Sequence, residues 1–191
     1  MKKAEQMSCD YCFPNRLEEI AILKDAIQYL NIAPLAHYYL GNLLYDKKQY
    51  TEATNHWEEA VKNKEDLAVA YRNLAISYYN KEHNNEKALN AMKKACELDS
   101  KYPRLWLEFD QLAAKVGISN KQRLEIMQSH LDITKQRDDL YLRYITLLNC
   151  VGEYEKALNA LQSHRFHPWE GGEGKVITQY KYALIQSCYY E

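Results

Sequence analysis

The chain has 191 residues, enough for one domain with a sizeable buried core. Its 47% hydrophobic and 27% charged residues suit a globular protein, and a net charge of −1 gives nucleic acid or an anionic membrane no electrostatic grip. Only 6 glycines and 4 prolines, with few β-branched runs, point to helices, and no apolar run approaches the roughly 18–20 residues that a membrane span needs.

The opening MKKAEQMSCDYC places two lysines before no apolar stretch, so it does not read as a secretory signal. The chain reads as cytoplasmic unless an upstream segment directs it elsewhere. Residues 1–15 read as irregular. Cys9 and Cys12 have the spacing of a redox or zinc pair, but no second pair follows and no strand–helix context surrounds them, so no metal site is assigned. Cys96 and Cys150 fall within helical patterns, where a reduced thiol is the common state.

A helix is predicted over 16–30, with Asn15 and Glu18 as a capping pair and Leu17, Ile20, Leu23 and Ile27 along one face. From Pro34 the small and apolar residues form two helical blocks, separated by the polar Asp46-Lys47-Lys48-Gln49. Leu40 and Gly41 occupy positions 7 and 8 of this unit, Tyr50 position 17, Ala53 position 20, Trp57 position 24 and Ala60 position 27. Gly41 and Ala53 let the two helices approach, while Leu40, Leu44 and Trp57 fill the space around them. That pattern resembles the tetratricopeptide (TPR) repeat.

Further units follow over 68–102, 103–137 and 138–164, so the starts are 34, 35 and 35 residues apart. The second carries Leu74-Ala75, Tyr78, Ala88 and Ala95, with one residue inserted between Glu82 and Asn85. The third is degenerate: Asp110 occupies the Gly/Ala position, and its second helix, capped by Ser119 and Gln122 and carrying Leu124, Met127 and Leu131, lacks the usual small residue. The fourth shows Tyr141, Leu148, Gly152, Tyr154, Ala157 and Leu161. The loop 165–174 then leads to a terminal helix over 175–190, the first half of a repeat without its partner. The helix over 16–30 is the second half of another, since Ala26 precedes Gly41 by fifteen residues.

The sequence thus predicts an all-α fold: a right-handed TPR superhelix, an α–α solenoid of about four repeats with flanking half-repeat helices. The concave face of such an array is lined by first helices. Here it offers Tyr38, Asn42, Tyr45, Arg72, Asn73, Tyr79, Arg104 and Gln111 as candidates for holding a peptide or protein partner, through aromatic area and amide hydrogen bonds. Tyr38 and Glu108 stand where TPR modules that clamp chaperone C-termini place basic residues, so carboxylate capture of that kind is not expected. Gly172-Glu173-Gly174-Lys175 fails as a phosphate loop, because Trp169 and Val176 replace its required glycine and Ser/Thr. No catalytic set, cofactor or metal is assigned.

His167, Trp169, Glu170 and Glu173 mark a candidate docking loop, unless Trp169 only covers the end of the array. Self-association through the C-terminal helix is a further candidate. Asp10-Tyr11-Cys12-Phe13-Pro14, Arg16–Ile20, Tyr39–Asp46, Arg137-Asp138-Asp139-Leu140 and His167–Val176 resemble the C-terminal TPR region of large bacterial proteins. In that family a β-rich, carbohydrate-enzyme-like domain of unknown function comes first. The resemblance implies the repeat portion of a longer protein, whose partner would be the upstream domain of the same polypeptide.

Overall fold

A computed structural model of the chain describes Lys3, Met7 and residues 13–30 and 32–189. The Cys9–Cys12 pair and most of the predicted irregular N-terminal segment lie outside these residues. Among the described residues there are eleven helices and no strand: α1 Glu18–Tyr29, α2 Pro34–Asp46, α3 Tyr50–Asn63, α4 Ala68–Asn80, α5 Asn85–Leu98, α6 Pro103–Lys115, α7 Asn120–Ser129, α8 Leu131–Thr134, α9 Asp138–Cys150, α10 Tyr154–Ser163 and α11 Lys175–Tyr189. The chain divides between Asp99 and Ser100 into two compact units.

In the first unit α2 packs on α3, α4 on α5, and α1 along α2. Pro34 begins α2 at a position where its missing N–H costs nothing. Leu40, Leu43 and Leu44 are fully buried, each contributing about 1.5–3 kcal/mol of transfer free energy. A Cβ on Gly41 would lie 2.5 Å from Trp57 Nε1 and 3.1 Å from the Ala53 carbonyl, which is the close approach that the Gly–Ala pairing anticipates.

Each link from a first to a second helix uses one residue with positive φ. Lys48 (64°) and His83 (53°) supply it in the first unit, Gly117 (86°) and Gly152 (85°) in the second. After Lys48, Gly117 and Gly152 the next N–H bonds five residues back, to Leu44, Ala113 and Leu148 at 2.9 Å, and closes the helix end.

The start of α1 departs from the expected capping pair. Leu17 holds the N-cap position without a side-chain bond, and Glu19, not Glu18, accepts from the Asn15 and Arg16 amides at 2.7 Å each. Those two bonds hold the Glu19 carboxyl below its ordinary pKa. Leu17 is 64% exposed and does not share the packed face of Ile20, Leu23 and Ile27.

In the second unit the core gathers Leu107, Leu124, Met127, Leu140, Ile145, Leu148, Ala157 and Ala183. Ser119 and Gln122 form the expected reciprocal cap at the start of α7. The helix after it is not continuous: the chain breaks at His130, and Leu131 lies in the separate α8. There the His130 ring stacks on Trp106, with centroids 3.9 Å apart, and Thr134 Oγ1 donates to the Met127 carbonyl.

Candidate functional site

In the first unit, α2 and α4 border a cleft of about 410 Å³. Five of the sequence candidates line it together: Tyr38, Asn42, Tyr45, Arg72 and Asn73. Tyr79 is not among the lining residues. Phe13, Pro14 and Asn15 line it as well, a contribution no periodic pattern could announce.

One amide organises the cleft. Trp57 Nε1–H, which can only donate, reaches Asn42 Oδ1 at 3.0 Å and shares a longer bond with the Tyr38 carbonyl at 3.3 Å. Asn73 Nδ2 donates to the same Asn42 oxygen at 2.9 Å. Asn42 Oδ1 is therefore saturated, and its two Nδ2–H donors are left for the cleft. Tyr38 itself is only 6% exposed, so it acts mainly as wall and backbone acceptor.

Tyr45 belongs to an aromatic cluster, its ring 4.9 Å from Tyr50 and 5.3 Å from Trp57. Burial pushes its hydroxyl pKa up, with Lys81 opposing, so Tyr45 stays a neutral hydrogen-bonding group. The cleft therefore combines aromatic surface with amide and guanidinium donors, a chemistry that suits carbonyl oxygens along an extended chain.

The remaining candidates belong to the second unit. Arg104 is exposed, its Nε 3.0 Å from the Glu108 carboxylate. Gln111 lines a groove of about 520 Å³ with Leu142, Arg143, Trp169, Glu170 and Lys175. Trp169 is half-buried against the unit's core, and its indole lies over Gly172, where a Cβ would fall 2.3 Å from the ring. Glu173 is exposed. His167 is tied back to Asp138, which accepts from its backbone N–H at 2.7 Å and lies 2.7 Å from His164 Nε2. Burial pushes the Asp138 pKa up, but the bonds from His164 and His167 outweigh it and leave the carboxyl below its usual range.

A charge cluster escaped the sequence reading. Asp110, 3% exposed, is clamped by Arg123 through two hydrogen bonds and also accepts from Arg143 Nε. An acid at a small-residue position, with an arginine thirteen residues on, was the available signal. Among the described residues no group of three or more His, Cys, Asp or Glu side chains could hold a metal ion, and no helix is long and apolar enough to cross a membrane.

Residues 41–82 match the family model described as TPR repeat. Among solved structures, the chain is similar to YrrB, titled a TPR protein with an unusual peptide-binding site, at 16% identity and TM-score 0.63 over 88% of this chain and 83% of that one. It is also similar to MamA, at 14% identity and TM-score 0.64 over 83% and 85%. A third is pilF of Pseudomonas aeruginosa, at 16% and 0.63 over 90% and 81%. At such identities the likeness speaks for fold alone, and the TPR fold is in general a binding scaffold. The chain has the all-helical fold of a TPR-repeat protein, with a TPR repeat matched in residues 41–82.

Proposed function

We propose that the chain is a non-enzymatic scaffold that holds an extended peptide segment of a protein partner in the cleft between α2 and α4. The saturated oxygen of Asn42 carries this reading. With Trp57 and Asn73 both donating to it, the amide presents only donors, matched to the carbonyl oxygens of a peptide backbone. Tyr45 supplies aromatic area beside them, and Arg72 lines the same cleft. Peptides bound this way typically reach micromolar affinity, about −8 kcal/mol.

The test is selection of binders from a displayed random-peptide library on the 191-residue chain, followed by titration against Arg72→Ala, Tyr45→Ala and Tyr38→Ala. Loss of binding in the first two is expected, with a smaller loss for the buried Tyr38. Equal affinity in all three would reject the cleft.

A second reading rests on the groove of the other unit. Trp169, Glu170 and Gln111 line it together, which supports docking of a neighbouring domain on the loop as in an accessory region of a larger carbohydrate-active protein. Trp169→Phe would then weaken that docking while leaving peptide binding unchanged.

A further inference from the structure

One guanidinium in the second unit has more charge than its surroundings cancel. Asp110 is already held through both oxygens by Arg123, yet Arg143 Nε donates to it as well. One carboxylate thus faces two guanidiniums, and a charge of +1 is left over. The Arg143 side chain is 34% exposed and lines the groove of about 520 Å³ described above. Beyond its bond to Asp110, its remaining N–H donors meet no acceptor among the described residues.

The groove around it is matched to acceptors. Gln179 Oε1 accepts from Asn149 Nδ2 at 2.9 Å, so the Gln179 amide has its own N–H groups left to offer. Lys175 is exposed and makes no ion pair among the described residues. Of the two acids on the lining, Asp139 is taken up by Arg137 Nη2 and the Leu140 amide, both at 2.8 Å. Glu170 is exposed, and neither Arg143 nor Lys175 pairs with it. Together, Arg123, Arg137, Arg143 and Lys175 outnumber Asp110, Asp139 and Glu170.

We propose that this groove binds an acidic, extended segment of a partner polypeptide, seating an Asp or Glu side chain on the free donors of Arg143. The proposal rests on the reading of this groove as a docking site and adds the chemistry of what docks. A carboxylate is selected because Asp110, saturated by Arg123, leaves Arg143 only partly neutralised. The Gln179 amide suits a backbone carbonyl beside it, and the groove is far larger than an inorganic anion needs. Lys175 adds an attraction that salt screens.

Fluorescence anisotropy tests this on the 191-residue chain, with a short labelled peptide alternating glutamate and serine, its C-terminus amidated. Saturable binding that weakens with added salt is expected. The same peptide with glutamine for glutamate should bind about tenfold or more weakly. Arg143→Gln should cause a similar loss. Arg123 still holds Asp110 in that variant, and unchanged helical circular dichroism verifies folding. Lys175→Gln, at an exposed position, should weaken binding less and lower its salt dependence. Equal affinity for the glutamine peptide, lost in Trp169→Phe, would keep the groove as a docking site but overturn its preference for acid. Full affinity in Arg143→Gln would overturn the proposal. So would displacement by inorganic phosphate at matching concentration, which would mark a general anion site. Binding only by a peptide with a free C-terminal carboxylate would replace side-chain recognition with terminal capture and overturn it too. No saturation at high micromolar concentration would overturn it outright.

Discussion

Asp110 and Arg123 form a two-point ion pair inside the second unit, with Nε on Oδ1 at 2.8 Å and Nη2 on Oδ2 at 2.9 Å. The pair takes the place of the small-residue contact that Gly41 and Ala53 make in the first unit. Planar guanidinium against planar carboxylate is the geometry that lets such a pair survive burial. Removing Asp110 strands the buried Arg123, whereas Arg143 would still face Asp110 if Arg123 were removed. Asp110→Ala should cost about 3–5 kcal/mol in denaturant unfolding, and Asp110→Ala combined with Arg123→Met should recover much of it. Equal losses in the single and double variants would show that the pair is not coupled.

Gly41 leaves no room for a side chain. Trp57 is 3% exposed and held by Asn42, so the indole has nowhere to go when a Cβ arrives 2.5 Å from it. Gly41→Ala should cost about 1–3 kcal/mol, and Gly41→Leu more. Tryptophan fluorescence in the folded baseline should shift with the loss, since the indole's hydrogen bonds loosen.

Lys48 adopts φ 64° where its counterparts in the second unit are glycines. A residue with a Cβ pays about 1–2 kcal/mol there, part of which glycine returns as chain entropy in the unfolded state. Lys48→Gly should therefore raise stability by about 0.5–1 kcal/mol, whereas Gly152→Ala should lower it by about 1 kcal/mol. Thermal midpoints of the two variants check both signs.

The rings of His37 and His56 meet at 2.9 Å, Nδ1 to Nδ1. Burial lowers the His56 pKa, His37 and Lys24 add to that, and Glu52 and Glu59 oppose it. The folded state thus takes up its proton at lower pH than the unfolded chain, near 6.5. Stability from this site is complete above the unfolded value and is lost as pH falls through the folded one. Urea midpoints should drop as pH falls below about 6.5, and His56→Gln should flatten that slope. An unchanged slope in the variant would place the sensitivity elsewhere.

Much of the fold is legible because periodic spacing and punctuation agree. Pro34 and Pro103 begin helices where they recur, Ser119 and Gln122 cap one, and Gly41 faces Trp57. What escapes depends on contacts distant in sequence or on unusual backbone. Nothing in Lys48 or His83 announces positive φ. The break at His130 depends on Trp106 stacking from another helix. Asp110 looks like decay of the repeat until Arg123 is seen beside it. At the cleft, repeat positions bring Asn42 and Arg72 together, but the wall of Phe13–Asn15 carries no repeat signal.

The most direct test of the cleft is a two-dimensional amide NMR titration of the chain with a library-selected peptide, following the side-chain resonances of Asn42 and Asn73 and the Trp57 indole N–H. Shifts that saturate together at these three groups and along α2 and α4 are expected. Saturable binding that leaves all three unmoved would contradict a peptide-holding cleft.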